Sequence, residues 1–108
     1  MRRGEVKYNG ITAGYIEQNS DGYKFFYDES YLSLVKSKPI SQTLPLSKEI
    51  YRSNVLFPFF DGIIPEGWLL SIVEKNWKIN PRDRMGLLLT CCQDCIGAVS
   101  VFEIVNEE

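Results

Sequence analysis

The sequence predicts an α+β fold. Its core is a small antiparallel β-sheet or partial barrel, formed by an N-terminal meander plus a C-terminal strand, with two to three helices between. Three observations predict it. The first third alternates apolar and polar residues and is broken by tight-turn dipeptides. The middle carries helix signals, namely first-turn prolines and apolar residues at helical spacing. The C-terminal stretch returns to alternation.

In "EVKYNGITAG", Val6 and Tyr8 alternate with Glu5 and Lys7. Asn9-Gly10 follows, a dipeptide that readily takes the positive φ angles of a type I′ turn. Ile11, Ala13 and Tyr15 continue the alternation, and Asp21-Gly22 marks a second tight turn. "YKFFYD" then carries Tyr23, Phe25 and Tyr27 on one face and Phe26 on the other. A strand apolar on both faces is expected inside a sheet.

"ESYLSLVKS" reads either as one short helix or as an irregular link, and Pro39 ends it. Pro45 in "ISQTLPLS" confines any strand there to an edge, or ends it. "KEIYRSN" is polar and reads as loop. "LFPFFDGII" fits a short helix that starts near Pro58 and is stopped by Pro65. The best helical stretch runs from Glu66 to Lys78. Asn80-Pro81 supplies an N-cap and a first-turn proline, with Asp83 near N3, for a third helix reaching about Cys92. "CIGAVSVFEIV" returns to β, with Ala98, Ser100, Phe102 and Ile104 alternating with Val99, Val101, Glu103 and Val105. "NEE" reads as a solvated tail. No repeat, low-complexity run or linker interrupts the chain, so residues 1–108 read as one domain.

The composition is 44% hydrophobic and 13% aromatic. A chain of this size buries roughly two-thirds of the surface its unfolded state exposes. The net charge of -2 speaks against direct nucleic-acid binding, which calls for a basic face. Arg2-Arg3 is followed by "GEVKYNG" instead of the apolar segment of a secretory signal. No apolar run reaches bilayer length. Cys91, Cys92 and Cys95 form an odd, local cluster, a poor disulfide framework that fits a reducing cytoplasm.

The sequence offers little catalytic chemistry. It has no histidine, the commonest general base. "GITAG" lacks the lysine and the setting of a phosphate-cradling loop, and no G-x-S-x-G elbow occurs. "CCQDC" offers three thiols, with Asp94 as a conceivable fourth ligand. Structural zinc, however, favours paired C-x2-C knuckles or histidine. The plainer reading is small apolar side chains at a helix end and a strand start, with no cofactor. Asp61 and Glu66 flank Pro65 and read first as helix-end charges. A binding module is therefore the better class than an enzyme.

On a helix from Glu66, at about 100° per residue, Leu69, Ile72, Val73 and Asn76 share one stripe. Trp77 and Trp68 lie on opposite borders of that stripe. Trp77, next to Leu70 and Val73, is the core candidate. Trp68 stands in the first turn, preceded by the bare Gly67. It reads either as a half-buried cap on the core or as an anchor presented to a partner, a role in which tryptophan is enriched.

"FFDGIIPEGWLL", with "CQDCIGAVSV" further on, resembles the N-terminal subdomain of HipA-type toxin kinases. The first block matches at Phe59, Phe60, Asp61, Gly62, Pro65, Glu66 and Gly67. The second matches at Asp94, Cys95, Gly97, Ala98 and Val99, without the family's glycine ahead of Asp94. "SQTLPLS" looks like the family's strand ending in L-P-L. The resemblance covers nearly the whole chain. It implies a subdomain that packs on a serine/threonine-like kinase core, which itself holds the ATP site. In related tripartite systems the subdomain is a separate small protein, HipS. There it pairs with a shortened kinase toxin, HipT, and a helix-turn-helix protein, HipB. The resemblance thus implies an antitoxin that binds a HipT/HipA-type kinase and meets a HipB-like protein only indirectly. The chain's length and acidic end favour that reading. Two others stand beside it: the N-terminal subdomain of a single-chain HipA kinase, and a cysteine-based metal or redox domain. The expected partner-binding residues are Trp68, Glu66, Gly67, Pro65 and Asp61, with no catalytic or metal-binding residue.

Overall fold

The alternating stretches pair into one five-stranded antiparallel sheet of order β4-β3-β2-β1-β5. A computed structural model of the chain describes residues 2–64, 82–93 and 97–105. The meander consists of β1 (Arg2–Tyr8), β2 (Ile11–Asn19) and β3 (Gly22–Tyr27). The first turn falls at Asn9-Gly10 as expected, and the second at Ser20-Asp21, one residue ahead of the expected Asp21-Gly22, with Gly22 opening β3. Asn9 and Gly10 take φ of 52° and 82°, and Gly22 takes 128°. The last strand, β5 (Val99–Ile104), lies beside the first, from Tyr8↔Val99 to Arg3↔Ile104.

β3 lies inside the sheet, as its two apolar faces require. Phe25 and Tyr27 are buried on the core face, while Phe26 meets Tyr15 on the other at 5.7 Å between ring centroids. Its outer neighbour corrects the loop expected at "KEIYRSN": Tyr51–Ser53 form the edge strand β4, with Phe25↔Tyr51 and Tyr23↔Ser53 in register. Three residues are too few to show alternation. One aromatic stack supports them, the Tyr51 ring lying 6.5 Å from that of Phe25. The Tyr51 hydroxyl also donates to the Pro45 carbonyl at 2.7 Å.

The connection between β3 and β4 realises both readings of "ESYLSLVKS". A single turn of helix, α1 (Glu29–Leu32), is capped by the Asp28 side chain, and irregular turns follow. Around Pro45 only an isolated bridge forms, Ser41↔Leu44.

Two further described helices cover the sheet. α2 (Pro58–Ile63) has proline in its first turn, as expected. α3 (Arg84–Cys91) begins later than Asn80-Pro81 suggested. Asp83 is its N-cap, not its N3 residue, because the Asp83 carboxylate accepts the Gly86 N–H at 3.1 Å. Phe60 from α2, with Met85, Leu87 and Leu88 from α3, is fully buried along with Val6, Ile16, Phe25 and Val101. Each such side chain contributes roughly 1.5–3 kcal/mol of burial. The helix–sheet approach is tight at Gly4, where a Cβ would lie 2.8 Å from Leu89 Cδ2 and 2.9 Å from Val101 Cγ1. The helix expected from Glu66 to Lys78, with Trp77, lies outside the described residues, as does Cys95.

Candidate functional site

Of the predicted partner-binding residues, Asp61 is described; Pro65, Glu66, Gly67 and Trp68 lie outside the described residues. The structure does describe the residues that flank them in the sequence. α2 ends at Ile63, and Ile64 is buried with φ -65° and ψ 123°. That extended conformation is the one a residue before proline favours. A buried side chain therefore anchors the last described residue before Pro65.

The start of α3 is fixed twice. Arg2 Nη1 and Nη2 donate to the two carboxylate oxygens of Asp83, each at 2.7 Å. The same guanidinium reaches Gln18 on β2. Arg2 holds the Asp83 carboxyl below its usual range, and the Gly86 N–H adds to the effect. The start of α3 is thereby tied to β1 and β2.

Asp61 joins the two flanks. Its Oδ1 accepts from Arg84 Nε at 2.5 Å, linking the fourth residue of α2 to the first residue of α3. The two side chains are 46% and 38% exposed, so solvent screens the pair and its energetic value is modest. Its geometric effect is larger: it holds α2 and the start of α3 together on either side of residues 65–81 in the sequence. Behind the pair, Cys92 is fully buried, with its Sγ 3.6 Å from the Ile63 carbonyl. Its own carbonyl accepts from Val101 N–H at 2.8 Å, joining the end of α3 to β5. Cys92 thus behaves as the small apolar core residue expected. Among the described residues no group of three metal-ligating side chains comes together.

Sequence reasoning missed Arg84 as the partner of Asp61 and Arg2 as the partner of Asp83. The pairs are 23 and 81 residues apart, and no local pattern signals them.

Comparison with known proteins agrees with the fold. A family model described as the HipA N-terminal domain matches residues 4–102. An uncharacterized protein of Haemophilus influenzae is 29% identical over 103 residues, which is 95% of this chain and 93% of that protein. A Sinorhizobium fredii protein named as a candidate kinase, Y4mE, is 27% identical over 97 residues. That match takes in 89% of this chain but only 23% of the relative. A solved structure titled the N-terminal domain of HipA toxin superposes with a TM-score of 0.73 at 24% identity, covering 99% of this chain and 96% of that one.

Proposed function

The chain belongs to the HipA N-terminal domain family, and from that premise we propose that it is a HipS-like antitoxin, binding and inhibiting a HipA/HipT-type serine/threonine kinase toxin. The observation that carries this reading is the extent of the family match, residues 4–102, which makes nearly the whole chain the non-catalytic subdomain. The Haemophilus relative supports a stand-alone protein, since the match takes in 93% of its own length. The chain works in the cytoplasm by protein–protein contact, without cofactor, membrane or direct nucleic-acid binding. Any HipB-like helix-turn-helix protein is reached through the kinase.

In this reading the "PEGW" corner is the contact point. Pro65 fixes φ and ends α2. Gly67 leaves the surface beside the ring bare, and Glu66 offers a carboxylate to a cationic site on the kinase. Trp68 projects toward the kinase, at or beside its active-site cleft. Asp61 serves the corner through Arg84, by holding together the two ends of the segment that carries it. An engaged tryptophan anchor is worth about 2–4 kcal/mol, or about 30- to 1000-fold in affinity. Trp68→Ala is therefore expected to keep the melting temperature and lose kinase binding. Trp77→Ala is expected to lower stability by about 3–5 kcal/mol, as a lost core aromatic does. Melting and binding measured on both variants test the reading. Unfolding by Trp68→Ala, or kinase binding equal to the parent's, overturns it.

The candidate kinase Y4mE favours a second reading, because the chain matches only 23% of its length. There the same surface packs against a kinase core within a single polypeptide. A neighbouring gene for a kinase that lacks this subdomain supports the antitoxin; a kinase reading frame continuous with this one supports the second reading.

A further inference from the structure

A groove of about 560 Å³ opens where the loop after α1 passes the β1–β2 turn. Its walls are Ile11, Leu34 and Val35, which are 51%, 45% and 101% exposed. Buried Tyr31 also lines it, and Lys36 and Lys38 stand at its rim. Among the described residues no carboxylate lines it. Single exposed apolar residues are ordinary, but a contiguous apolar patch with a polar rim marks an interaction site.

The loop is built to hold this shape. The Tyr31 hydroxyl donates to the Lys38 carbonyl at 2.5 Å and accepts the Lys38 N–H at 3.2 Å. Leu34 N–H bonds the Tyr31 carbonyl at 3.1 Å, and Ser37 N–H bonds the Leu34 carbonyl at 3.2 Å. Tyr31 stacks on Tyr27 at 6.1 Å, which ties the loop to the core. Val35 is thus held out in solvent by a hydrogen-bonded frame, which lowers the entropic cost of docking there.

We propose that this groove is a second docking point for the partner kinase, receiving an apolar segment flanked by carboxylates. The inference rests on the antitoxin reading. Two arguments choose the occupant. First, a stable interface needs roughly 800 Å² and 20–30 residues on each side, far more than the Pro65–Trp68 corner supplies. Second, the groove is locally cationic on a chain of net charge -2. Two copies meeting groove to groove about a two-fold axis set lysines against lysines, which disfavours a symmetric dimer.

The test compares the parent chain with Val35→Asp and with the double variant Lys36→Glu/Lys38→Glu. All three positions are exposed, and melting curves verify the fold. Each variant is expected to bind the kinase about tenfold or more weakly at low salt. The double variant is expected to lose most of the salt dependence of the association rate. If the parent binds the kinase and folded variants bind equally well, the groove proposal falls while the antitoxin reading stands. If the parent binds no kinase, both fall. If the variants change only self-association of the chain, the groove joins two copies and the proposal is overturned.

Discussion

Tyr27 shows how one side chain organises a long connection. Its hydroxyl accepts the Ile40 N–H at 3.1 Å and donates to the Leu44 carbonyl. Two backbone groups of an irregular loop are thereby satisfied in the interior, where an unpaired polar group is costly. Burial pushes the phenol up to about 12, against the opposing bond from Ile40. Tyr27→Phe is expected to cost about 1–3 kcal/mol, because both backbone partners stay buried without it. The sign of the pH effect follows from the raised value. The folded state holds the proton more tightly, so the contribution is complete below about pH 10 and is lost as pH rises toward 12. Urea midpoints from pH 8 upward are expected to fall more steeply for the parent than for Tyr27→Phe. That Tyr27 shares a face with Phe25 was legible in the alternation of "YKFFYD". Its partners were not, because residues 40 and 44 lie in a loop without periodicity.

The elements divide along the same line. The meander was legible because both its turns carry or adjoin residues suited to positive φ and its strands alternate. β4 was not, because three residues held by a stack and an edge ladder leave no pattern. α3 was legible as a helix but misplaced at its start, since Asn80-Pro81 and Asp83 both carry capping chemistry and tertiary structure chooses between them. Arg2 makes that choice by fixing Asp83. Gly86 leaves room for it, since a Cβ there would lie 2.5 Å from Asp83 Oδ2. Asp83→Ala is expected to cost about 1 kcal/mol from the lost cap, plus a small screened contribution from Arg2. Asp83→Asn keeps a capping oxygen and loses the charge, so it separates the two. Because Arg2 lowers the Asp83 carboxyl, the ionic contribution is present above the usual carboxylate range near pH 4 and is lost as pH falls through the lowered folded value. Denaturant midpoints between pH 7 and pH 2 are expected to converge for parent and Asp83→Asn at the acid end. No gap at any pH across that range assigns Asp83 to capping alone. At the candidate site the Asp61–Arg84 pair was not legible in the sequence, and the corner residues Pro65 to Trp68 lie outside the described residues.

For the whole molecule, the question raised by the antitoxin proposal is how a chain of this kind would switch off a kinase. An enzyme that modifies the kinase acts substoichiometrically, and its effect persists after it leaves. A domain that works by occupying the kinase obeys mass action: each copy silences one kinase while it stays bound. The sequence has no histidine and no phosphate-cradling loop, and the HipA N-terminal domain family model matches residues 4–102. Under the antitoxin proposal, occupancy is the expected mechanism. Incubated with ATP and magnesium, the pure chain is expected to show no turnover and no self-phosphorylation. Titrated into a kinase held well above the dissociation constant, it is expected to reduce phosphorylation linearly, reaching the baseline at one equivalent. Activity is expected to return when the complex is diluted below that constant or separated under mild denaturant. Trp68→Ala is expected to shift the endpoint far beyond one equivalent, since a loss of about 2–4 kcal/mol removes stoichiometric binding at that concentration. Complete inhibition at a small fraction of an equivalent, or inhibition that outlasts separation, would assign the chain a catalytic role and overturn the occupancy mechanism.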